Sequence, residues 1–71
     1  MNIKYFHDTD TLLVILTNHD VAETKDLSEN VLVDVDRDGN VVSLTIEHAG
    51  EQASMDSFSY QQVRGSTAEA V

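Results

Sequence analysis

Residues 31–47 read VLVDVDRDGNVVSLTIE, and this stretch decides the fold. Two runs of branched apolar residues alternate with polar ones on either side of Asp38-Gly39, a pair that favours a two-residue type I′ turn. A turn at that pair sets Arg37 opposite Asn40. The same register places three apolar pairs on one face of a hairpin: Val35 with Val42, Val33 with Leu44, and Val31 with Ile46. A slip of one residue would break every pair, so the pattern predicts a single register.

The rest of the chain extends this hairpin into an antiparallel sheet. Short apolar runs at residues 3–6, 12–17 and 21–24 alternate with turn-forming residues, and residues 26–30 have the composition of a turn. Residues 57–63 alternate as a strand does, although Met55, Phe58 and Gln62 also fit one face of a helix; their composition favours the strand. We therefore expect a mainly β fold, a small antiparallel sheet of hairpins with a short C-terminal strand or helix. A β-rich α+β fold is the alternative.

Composition limits the class of protein. The chain has 71 residues, of which 41% are hydrophobic, and we expect one β-rich domain over residues 1–64 with a disordered tail over residues 65–71. Four basic residues against thirteen acidic ones give a net charge of −9, which argues against binding to nucleic acid or to anionic membranes. No cysteine is present, so disulfides and thiol chemistry are excluded. No secretion signal or spanning segment is visible, and we expect a cytoplasmic protein.

The face of the hairpin opposite the three apolar pairs is also apolar. Leu32 and Val41 point to it, and the second strand adds either Leu12, Val14 and Leu16 or Leu13 and Ile15. A sheet with two apolar faces must cover both, either with its own C-terminal segment or with a second copy of the chain. We expect a homodimer. Its candidate interface consists of Leu13, Ile15, Leu32 and Val41.

The acidic hairpin resembles a calcium loop in part. Asp34, Asp36 and Asp38 with Gly39 match the pattern D-x-D-x-D-G, but Thr45 stands where a bidentate glutamate is required. The three aspartates are therefore only weak candidates for a divalent metal. His7, His19 and His48 lack the spacing of a metal site, although turns could bring His7 and His19 together at one end of the sheet. No catalytic motif or cofactor-binding motif is visible, so we expect a non-enzyme without a cofactor.

Six short motifs lie along the first fifty residues: Ile3 and Tyr5; Asp10, Leu12, Val14 and Leu16; Val21 and Thr24; residues 31–34; Asp36 with Gly39; and residues 46–49. Together they resemble a small bacterial family, the domain-of-unknown-function family 2283. The resemblance covers residues 1–50 and implies a compact β-rich module. It implies no activity, cofactor or site residues.

Two functions from different classes fit these observations. The first is a non-enzymatic module that self-associates through the second apolar face. The second is an acidic, antitoxin-like partner that neutralises a basic protein, for which the clustered acids would serve as a landing surface. Weak binding of a divalent metal is a third possibility.

Overall fold

The computed structural model describes residues 1–65, which form one five-stranded sheet and one short helix. The elements are β1 (Asn2–Phe6), β2 (Thr11–Ile15), β3 (Glu23–Ser28), β4 (Val31–Val35), β5 (Val41–Glu47) and α1 (Ala49–Gln52). All neighbouring strands are antiparallel, and their order is β1-β2-β5-β4-β3. The fold is therefore mainly β, as the sequence predicts. The predicted tail at residues 65–71 lies, apart from Gly65, outside the described residues.

The central hairpin joins β4 to β5, and two of its three predicted pairs are confirmed. Val31 lies opposite Ile46 and Val33 opposite Leu44, but Val35 lies opposite Val41 because the register shifts by one residue there. The predicted type I′ turn is wrong. Five residues separate β4 from β5, but Asp36 N–H donates to the Asn40 carbonyl oxygen at 2.9 Å, which leaves a loop of three residues, 37–39. Within it Gly39 N–H donates to the Asp36 carbonyl oxygen at 3.0 Å.

The dihedral angles of the hairpin loop explain its length. Gly39 has a φ of 87°, whereas Asp38 does not share the positive φ that a type I′ turn requires of both central residues. The Asp36 carboxylate accepts backbone N–H groups of Asp38 and Asn40, each at 2.9 Å, which favours the longer loop. The side chain that precedes the turn therefore selects the turn type.

Strand β3 differs most from its prediction. It begins at Glu23 instead of residue 21 and continues to Ser28, through residues predicted as a turn. Backbone pairing with β4 explains this, since Lys25 lies opposite Val33 and Asp26 opposite Leu32. All six residues of β3 are exposed, so their side chains gave no apolar signal. The ladder of β4 imposes the extended conformation on a sequence of low strand propensity.

The register assigns each apolar residue to one face of the sheet. One row across the sheet contains Ile3, Val14, Leu44 and Val33, and the next contains Tyr5, Leu12, Ile46 and Val31. We call the side that carries these residues the first face. The second face carries Leu13, Thr45 and Leu32, which form one row, together with Ile15. Of the two alternatives for β2, Leu13 and Ile15 therefore share a face with Leu32.

The core is small because the sheet is a single layer. Its buried apolar residues are Val33, Val35, Val42 and Ala49. The Cα radius of gyration is 14.4 Å, against roughly 11 Å for a compact chain of this length. The larger value fits a sheet that, within residues 1–65, has no second sheet or long helix packed against it.

The predicted C-terminal strand is wrong. Residues 53–65 contain neither helix nor strand, and the short C-terminal element is instead α1. Phe58 and Tyr60 are 67% and 62% exposed. Alternation alone therefore did not produce a strand, because the segment does not pair with either edge of the sheet. No helix in the described part of the chain has the length and apolar character needed to cross a membrane.

Candidate functional site

The second face holds the residues that the sequence predicts as an interface. Leu13 lies opposite Thr45, and Thr45 lies opposite Leu32, so this row crosses three adjacent strands. Ile15 lies two residues further along β2. Leu13, Ile15 and Leu32 are half-buried, and Val41, at the start of β5, is 39% exposed. The structure thus places Leu13, Ile15 and Leu32 in one patch of the second face, with Thr45 between the two leucines, and Val41 lies near the hairpin end of the sheet.

A polar ladder borders this patch on the side of β3. Ser43 lies opposite both Ile15 and Asp34. The Asp34 carboxylate accepts the Thr24 hydroxyl at 2.5 Å and the Ser43 hydroxyl at 2.7 Å. These two hydrogen bonds, that of Thr24 first, lower the pKa of Asp34. Asp34 therefore stays ionised and is engaged within the sheet.

Asp36 has a structural role in the hairpin loop. Its side chain is 8% exposed and, besides the two backbone N–H groups described above, lies 3.1 Å from His19 Nδ1. The hydrogen bond from Asn40 N–H is the main cause that lowers the pKa of Asp36, and the nearby His19 adds to it. The contact ties residues 16–22, which cross from β2 to β3, to the hairpin loop.

An open hollow of about 540 Å³ lies beside this contact. Five polar or charged residues and two apolar ones line it, namely His19, Asp20, Asp36, Arg37 and Asp38 with Val21 and Ala22. Among residues 1–65, no three histidine or acidic side chains are arranged to hold one metal ion. The weak metal candidates Asp34, Asp36 and Asp38 thus occupy separate places, namely the ladder, the loop cap and the rim of the hollow.

A cluster of hydrogen bonds around Asp10, which was not predicted from the sequence, holds α1 on the sheet. Asp10 adopts a left-handed conformation with a φ of 56° at the end of the β1–β2 turn. Its carbonyl oxygen accepts Ala49 N–H at 2.9 Å, while Oδ1 accepts Gly50 N–H at 2.8 Å and the Tyr5 hydroxyl at 2.5 Å. We call these four residues the Asp10 latch. In the sequence Tyr5 and Asp10 stand out only as residues of the family motifs. Their separation by five residues was the available sign that the two side chains could meet across the β1–β2 turn.

The latch shifts the pKa of both its side chains. The Tyr5 hydroxyl, and then Gly50 N–H, lower the pKa of Asp10 by stabilising its charged form. The same Tyr5–Asp10 hydrogen bond is the main cause that raises the pKa of Tyr5, because ionisation of the phenol would break it. A phenol with a raised pKa keeps its proton, which here is donated to the Asp10 carboxylate, so the geometry indicates a structural role.

The three histidines lie at different places in the sheet. The rings of His7 and Tyr5 meet edge to face with their centroids 4.8 Å apart, near the β1–β2 turn. His19 lies at the opposite end of the sheet, by the hairpin loop, so the turns do not bring His7 and His19 together. His48 Nδ1 lies 3.0 Å from Asn30 Oδ1, and the φ of 57° at His48 turns the chain from β5 into α1.

A cleft of about 490 Å³ separates the C-terminal segment from the first face. The sheet side of the cleft is formed by Ile3, Tyr5, Leu12 and Val14, and residues 53–58 form the other side. Met55 is half-buried there, whereas Phe58 is mostly exposed. The C-terminal segment therefore lies over the first face, not the second.

Comparison with known proteins identifies a family but no characterised relative. The model of a family described as "Protein of unknown function (DUF2283)" matches residues 2–49, which include all five strands and the first residue of α1. No curated protein and no solved structure matches the chain.

Proposed function

Since the chain belongs to the DUF2283 family, whose function is unknown, its role must be inferred from its surfaces, and we propose a non-enzymatic, self-associating interaction module. The second face of the sheet is the contact surface in this proposal. The observation that carries it is the row Leu13–Thr45–Leu32 across β2, β5 and β4, in which two leucines flank a threonine, extended by Ile15. A second copy of the chain would cover this row face to face.

The position of the C-terminal segment supports this assignment. Two covers were available for the second face, and residues 53–58 lie over the first. The described core contains three valines and one alanine, and no large side chain in it is fully buried. A domain of this size seldom gains enough stability from its own core, and subunit contacts are one common supplement. Burial of Leu13, Ile15 and Leu32 between two copies would supply such a contact.

Replacing Leu32 with aspartate tests the proposal. An unpaired charge buried in an interface costs about 3–5 kcal/mol, which corresponds to a dissociation constant raised by about 100-fold or more. We expect native mass spectrometry and light scattering to show assemblies of the 7.9 kDa chain, and Leu32→Asp to lower their mass. Leu13→Asp, on a different strand, should have the same effect.

Leu27→Asp is the matched control. It makes the same chemical change on β3, where Leu27 is 62% exposed and outside the second-face patch. Circular dichroism of each variant separates a lost contact from a lost fold. If Leu32→Asp and Leu13→Asp fold and keep the wild-type mass at every concentration, the second face is not the contact surface.

The alternative function, an antitoxin-like partner of a basic protein, is favoured by one feature. The hollow beside the hairpin loop is open and is lined by Asp20 and Asp38 as well as by Arg37, so basic side chains of a partner can approach two carboxylates there. Such a complex should persist through purification at low salt and dissociate at high salt, because exposed charges are screened. A complex insensitive to salt would contradict this alternative.

A further inference from the structure

The two edges of the sheet differ in how well they are protected against pairing. The β3 edge carries Glu23, Lys25 and Asp26, and its register shifts between Asp26 and Ser28. Charges and irregularities of this kind prevent another strand from adding to an edge. The β1 edge, Asn2–Phe6, has an unbroken register with β2 and a single charge, that of Lys4. In the described part of the chain β1 pairs only with β2, so one row of its backbone groups is free.

Exposed apolar side chains surround the β1 edge. Met1, Phe58 and Tyr60 are 74%, 67% and 62% exposed, and together with Asn2 and Ile3 they line one shallow depression. Phe6, at the other end of β1, is 47% exposed. An apolar patch beside an unprotected strand edge is the combination that strand addition uses, with backbone hydrogen bonds for affinity and side-chain contacts for specificity.

We propose that β1 pairs antiparallel with β1 of a second copy, so that two sheets join edge to edge into one of ten strands. This contact is separate from the second face and does not depend on the proposed function. A two-fold axis produces it without leaving a free β1 edge, so assembly through this edge stops at two copies.

Side-chain complementarity selects the register of this pairing. With Ile3 on the two-fold axis, Ile3 lies opposite its own copy, Met1 opposite Tyr5, and Asn2 opposite Lys4. Apolar residues then meet on the first face and polar residues on the second. With Lys4 on the axis, two like charges would lie directly opposite each other, which is unfavourable. The chain carries a net charge of −9, and Asn2–Phe6 contains no acidic residue, so repulsion between copies is weak at this edge.

A single cysteine at position 3 tests the pairing and its register. Directly opposite residues in an antiparallel pair have Cα atoms about 4.5–5.5 Å apart, within the range that a disulfide spans. The chain has no cysteine of its own, so only the introduced thiol can react. We expect mild oxidation to convert Ile3→Cys into a covalent species of two chains. Lys25→Cys on β3 is the control edge and should not cross-link.

Two further measurements keep the outcome decisive. In the unmodified protein, hydrogen exchange at the free β1 amides should slow as the protein concentration rises. Leu32→Asp combined with Ile3→Cys should still cross-link, which separates the edge contact from the second-face contact. The proposal is overturned if Ile3→Cys folds and reacts no faster than Lys25→Cys. Protection of β1 that does not depend on concentration would also overturn it, because the edge would then be covered by something other than a second copy.

Discussion

Replacing Gly50 with alanine tests the latch that holds α1 on the sheet. Inside a helix this change ordinarily stabilises a protein by about 0.5–1 kcal/mol, since alanine loses less conformational freedom on folding. The backbone dihedral angles of Gly50 are compatible with a side chain, but the space around its Cα is occupied. An added Cβ would lie 2.8 Å from Asp10 Oδ1. We therefore expect Gly50→Ala to destabilise the protein, opposite to the ordinary effect.

Whether Gly50→Ala stabilises or destabilises the protein should depend on the Asp10 side chain. The clash is relieved only if the Asp10 carboxylate moves, and that movement breaks its hydrogen bonds with Gly50 N–H and the Tyr5 hydroxyl. Asp10→Gly removes the obstacle while tolerating the φ of 56° at this position. In that background Gly50→Ala should stabilise by the ordinary 0.5–1 kcal/mol, about 2–8 °C in melting temperature for a domain of this size.

Urea and thermal denaturation of the four proteins completes a double-mutant cycle. The effect of Gly50→Ala in the two backgrounds should differ by more than about 0.5–1 kcal/mol, as expected for residues in direct contact. If Gly50→Ala stabilises the wild type as much as it stabilises the Asp10→Gly variant, the latch does not constrain α1 and our reasoning is wrong.

Two other predictions concern the hairpin loop and its carboxylates. Gly39→Ala should destabilise the protein by about 1–2 kcal/mol in urea denaturation, because a φ of 87° is strained for a residue with a side chain. A Cβ at this position would meet nothing within 4 Å, so the loss comes from the backbone alone. Gly39→Asn should recover part of the loss, and equal effects of the two changes would contradict this reasoning. The pKa values of Asp34 and Asp36 are lowered in the folded state, so the stability they contribute is present above the ordinary value of 3.8 and is lost as pH falls through the folded-state pKa. Asp36→Asn should weaken the pH dependence of the urea midpoint between about pH 4 and pH 2. An unchanged pH dependence would refute the stabilising role given to the Asp36 carboxylate.

The alternation of apolar residues predicted much of the sheet. It predicted the pairs of Val31 with Ile46 and of Val33 with Leu44, and it identified Leu32 as a residue of a second apolar face. These features follow from the period of two in a strand, which a sequence states directly. The choice between the two sets of residues on β2 required the register with β5, which places Leu13 opposite Thr45.

The misjudged elements depend on contacts that a local pattern does not contain. The exposed side chains of β3 carry no strand signal, and its conformation comes from the neighbouring ladder of β4. Residues 57–63 carry a strand signal but find no partner strand. Asp38-Gly39 favoured a two-residue turn, but the carboxylate of Asp36 caps a loop of three residues.

The sequence by itself determined that the chain is mainly β, that residues 31–47 form a hairpin, and that Val31, Val33, Leu44 and Ile46 share one of its faces. Only the tertiary structure decided the strand order, the face over which the C-terminal segment lies, and the edge that remains unprotected. The physical reason is distance along the chain. Alternation acts between residues two apart, whereas the Asp10 latch joins groups forty residues apart, and such a contact exists only once the sheet has formed.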